Sequence, residues 1–202
     1  MFAASLGYAR PDTPPNYGLE LPAEAFLPKP YVFLLHGTTW ETKHYPETFW
    51  GDVCGRLLQQ GLTPVVTWGN DSERQRALRL VDKGAVMLER TSLRQLAAYL
   101  RGASGAISVD TGLGHLATAL DVPLIGVYGP TNPDLSGIYG ARQQSLKATY
   151  HCAPCMKKTC RYACLGIEPP CWSALPPEQV VQSFNALPRL ASSCAQPSAD
   201  AP

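Results

Sequence analysis

The 202-residue sequence lacks an excess of charge of either sign: 17 Lys and Arg stand against 16 Asp and Glu, a formal net charge of +1. That balance provides no long-range attraction towards nucleic acid or an anionic membrane surface. A charged ligand must then be held by a few placed groups. The sequence also lacks any run near the roughly 18 apolar residues expected of a membrane-spanning helix. Residues 1–10 show no basic segment followed by a long apolar stretch, so they do not read as a secretory leader. No internal repeat is visible. The expectation is a cytoplasmic chain without a transmembrane segment and without a nucleic-acid partner. Cysteine is not scarce, but the seven present are an odd number, and a chain of this size can bury a core without disulfide staples. Reduced thiols fit better.

Three zones follow one another. Residues 1–29 carry Pro11, Pro14, Pro15, Pro22 and Pro28 and little periodicity. They read as a linker and the remnant of an N-terminal domain that the sequence does not contain. Residues 30–190 form the ordered domain, within which residues 148–173 are rich in Cys, Pro and Lys, and a short helix is expected over 177–187. Residues 191–202 are small and polar and read as a disordered tail. Inside the domain, short apolar runs over 31–35, 63–68, 85–88, 106–109 and 123–127 alternate with helical patterns over 46–60, 72–81, 92–101 and 113–120. Strands separated by helices are βαβ units, so the fold class is α/β: five parallel strands, doubly wound, with helices on both faces.

In such sheets ligands bind beyond the carboxyl ends of the strands, and three of those ends carry unusual polar residues. After the first strand comes His36-Gly37-Thr38-Thr39-Trp40-Glu41-Thr42-Lys43-His44-Tyr45-Pro46, whose hydroxyls, backbone N–H groups and Lys43 suit a phosphate. The plainer alternative is a helix cap beside an exposed lysine. After the fourth strand comes Asp110-Thr111-Gly112-Leu113-Gly114-His115. Gly112 allows close backbone approach, and the helix that follows offers its N-terminal N–H groups to an anion. A carboxylate beside a diphosphate repels it, so Asp110 suits sugar hydroxyls better, while His115 could donate to phosphate. The alternative is that Asp110 caps the helix and His115 packs against a neighbour. After the second strand comes Trp68-Gly69-Asn70-Asp71-Ser72-Glu73, in which Glu73 either compensates the helix dipole or grips the hydroxyls of a ribose. A fourth loop, Val127-Tyr128-Gly129-Pro130-Thr131-Asn132-Pro133, is expected to shape the wall of the site.

Taken in order, these four loops resemble the C-terminal half of the lipopolysaccharide heptosyltransferases of glycosyltransferase family 9, the Thr-Thr…Lys-His loop pointing to type I. The likeness covers about residues 17–147. It implies a GT-B enzyme in which two Rossmann-like domains face each other across a cleft, this chain supplying the donor-binding one. It further implies an inverting, metal-independent transfer of L-glycero-D-manno-heptose from ADP-heptose to Kdo of the inner core, at the cytoplasmic side or peripherally at the inner membrane. No cofactor is implied beyond the donor substrate. Carried over by position, Thr38, Thr39 and Lys43 would grip the diphosphate and Glu73 the ribose; Thr91 would line the adenine pocket. Asp110 would bind the heptose, with Thr111, Gly112 and His115 around phosphate and sugar. The family's general base and most of its acceptor site belong to the N-terminal domain, so no catalytic residue is assigned here. A separately encoded N-terminal half is a further expected partner.

Cys152, Cys155, Cys160, Cys164 and Cys171 form a C-x2-C-x4-C-x3-C-x6-C run. C-x2-C is a common start of a zinc site, but the whole spacing is not a standard zinc pattern, so structural metal, free thiols and disulfides all stay open and no metal ligand is assigned. Lys157, Lys158 and Arg161 would favour thiolates. Alternatives to transfer are a module that binds ADP or ADP-heptose without turnover, a metal-stabilised interaction module, and a family-9 relative with another acceptor, such as heptosyltransferase II or a protein heptosyltransferase.

Overall fold

The computed structural model describes residues 7, 17–20, 27, 30–162 and 168–188; most of the expected linker, Cys164 and the expected tail lie outside them. Six strands make one sheet: β1 (Tyr31–Leu35), β2 (Thr63–Val66), β3 (Val86–Met87), β4 (Gly105–Val109), β5 (Leu124–Tyr128) and β6 (Gln143–Lys147). Their order is β3-β2-β1-β4-β5-β6, and every pairing is parallel. The helices between them are α1 (Glu47–Gln59), α2 (Asp71–Val81), α3 (Leu93–Arg101), α4 (Gly112–Ala119) and α5 (Pro133–Ser136), with α6 (Pro177–Asn185) closing the domain. The α/β, doubly wound reading holds. The expected count of five strands does not: β6, Gln-Gln-Ser-Leu-Lys, carries little apolar signal, as suits an edge strand of which only Leu146 is buried.

Strand alternation sends Val32 and Leu34 to one face, where they join buried residues of α1, α2 and α6 such as Leu57, Leu80 and Phe184. Tyr31, Phe33 and Leu35 point to the other, with Leu96 and Leu100 of α3 and Ala117 of α4. Both faces are thus covered, which is why β1, β4 and β5 are continuous buried apolar runs. Gly114 lets α4 sit close against β4: a Cβ there would come within 2.8 Å of Ser108 Oγ.

The C-terminal segment is bound to the body by aromatic packing and hydrogen bonds. Trp172 is 1% exposed and meets Tyr45 edge-on at 5.4 Å between ring centroids. Its indole Nε1 donates to Thr42 O at 3.2 Å, and Tyr45 Oη donates to Leu175 O at 2.6 Å. The end of β1 is locked to β2 by His36, 2% exposed, whose Nε2 donates to Thr67 O at 3.1 Å. Its Nδ1 is buried without a partner, so the neutral ring fits and the charged one does not. Burial, aided by the nearby Arg76 guanidinium and opposed by Glu73, brings the His36 pKa down from 6.5 to about 4.

A buried histidine with a depressed pKa binds fewer protons folded than unfolded between those two values. Stability is therefore unpenalised above pH 6.5, falls as pH drops towards 4, and levels off below, by roughly 3 kcal/mol in all. Urea unfolding across that range should show the fall, partly reinforced by His44, whose pKa burial also lowers. His36→Gln should flatten it. Trp172→Ala should cost about 3–5 kcal/mol in the same assay, through a cavity and the lost bond to Thr42.

Candidate functional site

β1 pairs with β2 on one side and β4 on the other, so the chain order reverses between β1 and β4. That is where an open parallel sheet leaves a crevice. Leu35, the last residue of β1, stands level with Ser108. The loops after Leu35 and Val109 therefore leave the sheet side by side. Thr38 Oγ1 donates to Asp110 O at 3.2 Å and joins them directly.

A cavity of about 250 Å³ opens between these loops. Thr38, Thr39 and Lys43 line it from the β1 side, Asp110, Thr111, Gly112 and His115 from the β4 side, and Glu73 from α2. Thr91 is the one expected donor residue that does not line it: its hydroxyl faces Ser92 O and Gln95 Oε1 at the start of α3. That loop follows β3, one strand beyond β2 on the far side of the switch point.

Asp110 does not cap α4, because Thr111 occupies the cap position and no side chain bonds the first turn there. The Asp110 carboxylate instead pairs with Lys43, Nζ to Oδ2 at 2.8 Å, with side chains only 15% and 9% exposed. Lys43 is thus no exposed surface lysine. Its ammonium also lies 4.3 Å from the centre of the Trp40 ring, a cation–π contact. Glu73 keeps its local role: Asn70 Oδ1 caps its N–H at 2.9 Å, and Glu73 Oε2 accepts from Gly69 N at 2.7 Å. The same carboxylate nevertheless reaches the cavity, over Gly37, where a Cβ would lie 2.9 Å from it.

Thr42, in the loop after β1, has a role that its sequence context does not show. It is 2% exposed, donates from Oγ1 to Lys157 O at 2.6 Å and receives Trp172 Nε1 on its carbonyl. These partners lie 115 and 130 residues away, so no local pattern could reveal them. Thr131 is 2% exposed and does not line the cavity.

The chemistry on offer is a small polar recess with one ammonium, an uncapped helix N-terminus and two engaged carboxylates. The first-turn N–H groups of α4, with the positive end of its dipole, suit a phosphate oxyanion. A separate hollow of about 540 Å³ lies between α1 and α2, lined by Glu41, Glu47 and Glu168 together with Arg76 and His44. A third hollow, about 550 Å³ and mostly apolar, adjoins the recess through Thr111 and Gly112 and is lined by Leu93, Leu113 and Leu116.

Comparison with known proteins places this arrangement. The family model "Glycosyltransferase family 9 (heptosyltransferase)" matches residues 1–165. The lipopolysaccharide heptosyltransferase 1 of Pseudomonas aeruginosa is 41% identical over 201 residues, covering 93% of this chain and 57% of the relative. The structure of the Escherichia coli heptosyltransferase WaaC with ADP superposes with a TM-score of 0.70 at 36% identity, over 91% of this chain and 53% of that one. The same enzyme with ADP-2-deoxy-2-fluoro heptose gives 0.67 at 35%, over 91% and 52%. The chain thus spans about half the length of the relatives it matches. With its reversed strand order and paired strand-end loops, it belongs to glycosyltransferase family 9, the heptosyltransferases.

Proposed function

We propose that this chain is the donor-binding part of a lipopolysaccharide heptosyltransferase, and that its recess takes ADP-L-glycero-D-manno-heptose. The observation that carries this reading is the convergence of Thr38, Thr39, Lys43, Glu73 and the Asp110–His115 segment on one cavity at the switch point. In this reading the α4 N-terminus, Thr38, Thr39 and Lys43 receive the diphosphate, and Glu73 the ribose hydroxyls. Asp110 receives the heptose hydroxyls, with Thr111, Gly112 and His115 at the junction of phosphate and sugar. The adenine extends towards the apolar hollow beside Leu93. ADP and a fluorinated ADP-heptose are what the two E. coli structures name as their ligands.

For transfer to Kdo of the inner core, the developing charge on the departing ADP would be stabilised by Lys43 and the helix end, without a metal. The acceptor hydroxyl also has to lose its proton. The resemblance to family 9 implies that the base comes from an N-terminal domain across the cleft; here Asp110 and Glu73 are engaged by Lys43 and Gly69. A second reading, donor binding without turnover by this polypeptide alone, is favoured by the same engagement of both carboxylates. Heptose transfer by the chain alone, compared with the chain supplemented by an N-terminal half, separates the two. Turnover only in the supplemented reaction supports the assignment of the base.

Calorimetry with ADP and ADP-heptose tests the residue roles. Asp110→Ala should weaken ADP-heptose by about tenfold or more, the worth of one charged hydrogen bond, and leave ADP unchanged or tighter because Lys43 is released. Equal losses for the two ligands would remove Asp110 from the sugar. Lys43→Ala should weaken both by about tenfold at low salt, with a smaller difference at high salt; superimposable wild-type and variant titrations at low salt would remove Lys43 from the diphosphate.

A further inference from the structure

The hollow between α1 and α2, about 540 Å³, shares no lining residue with the donor recess, and the donor reading leaves it without a role. Its volume is that of a small-molecule site. Tyr45, Trp50 and Leu80 give it an apolar floor, each no more than 3% exposed.

Two residues on its wall carry a buried polar atom without a partner. One is His36, 2% exposed. Its Nε2 donates to Thr67 O, so the orphaned Nδ1 presents a lone pair and needs a donor. The other is Arg76, whose orphaned Nε–H needs an acceptor. Among the described residues the Arg76 guanidinium enters no ion pair. Buried polar groups are nearly always hydrogen-bonded, so two of opposite demand on one cavity point to a ligand that offers both a donor and an acceptor. The first turn of α1 opens on the same space through Pro46, Glu47 and Thr48, and no side chain caps it. Its free N–H groups favour negative charge there. Of the three carboxylates on the lining, Glu47 has both oxygens taken by Arg79. Glu41 and Glu168 are exposed, where solvent and salt screen them.

We propose that this hollow is a second binding site, for a small monocarboxylate that carries several hydroxyls, the class of the sugar acids. The carboxylate meets Arg76 and the N-terminus of α1. A hydroxyl donates to His36 Nδ1, others to Glu41 and Glu168, and the carbon chain lies over Tyr45 and Trp50. One guanidinium balances one negative charge. A phosphate dianion would keep an uncompensated charge near Glu41 and Glu168, which favours the carboxylate. An acid without hydroxyls would leave His36 Nδ1 unmet, and a neutral polyol would leave Arg76 unmet. The site stands whether or not the other recess takes ADP-heptose, because the two have no lining residue in common.

The test is titration of the full chain with D-gluconate, followed by calorimetry and by saturation-transfer NMR. Saturable binding at one site per chain is expected. D-Glucitol, which lacks the carboxylate, and hexanoate, which lacks the hydroxyls, should each bind about tenfold more weakly or worse. This comparison uses the unaltered protein, so it decides the matter even if a variant fails to fold. Arg76→Gln should weaken gluconate by about tenfold or more. Arg74→Gln, on the same helix with its guanidinium over the Trp68 ring, should leave gluconate unchanged. Saturating ADP should also leave the gluconate titration unchanged. Absence of saturable binding would overturn the proposal, as would glucitol or hexanoate binding as tightly as gluconate. So would tighter binding of glycerol phosphate, displacement of gluconate by ADP, or an unaltered titration in a folded Arg76→Gln variant.

Discussion

The side-by-side pairing of β1 and β4 is the constraint on which the rest depends. A parallel sheet must return each strand through a helix on one of its faces, and the return changes direction once, between these two strands. The loops leaving them diverge to opposite faces and leave a recess that neither side chain packing nor backbone pairing fills. Register decides what enters it. Because Leu35 stands level with Ser108, residues 36–39 run beside residues 109–112, and Thr38 can reach the carbonyl of Asp110. A shift of one residue would exchange the faces of every strand side chain and break that contact.

Within the recess the Lys43–Asp110 ion pair holds opposite charges in place before a ligand arrives. Both side chains are largely removed from water, so each depends on the other for compensation. The pair ties the loop after β1 to the loop after β4, alongside the bond from Thr38 to Asp110 O.

The C-terminal segment extends this positioning away from the sheet. Tyr45, Trp172 and Leu175 knit the last elements to the start of α1, and Thr42 accepts from one side and donates to the other. The turn carrying Lys43 is therefore set by contacts that span most of the chain.

Much of this was legible in order along the chain. Apolar runs separated by helical periods determined a doubly wound parallel sheet, since a strand buried on both faces must be apolar throughout. The polar residues at its strand ends, among them Thr38, Thr39, Lys43, Glu73, Asp110 and His115, marked the loops that line one cavity. What stayed hidden was everything set by distance in sequence. β6 is polar because it lies at an edge, so its signal is weak. Thr91 carries the same hydroxyl as Thr38 yet falls outside the recess, because its loop follows β3, away from the switch point. Asp110 could have capped its helix, but the helix starts one residue later, with Thr111 at the cap position, and the Asp110 carboxylate meets Lys43 from the loop after β1. The roles of Thr42 and Trp172 arise from hydrogen bonds between residues 130 positions apart, which local pattern does not encode. Residue type determined what chemistry each loop could offer, and only the folded sheet decided which of those offers share one small volume.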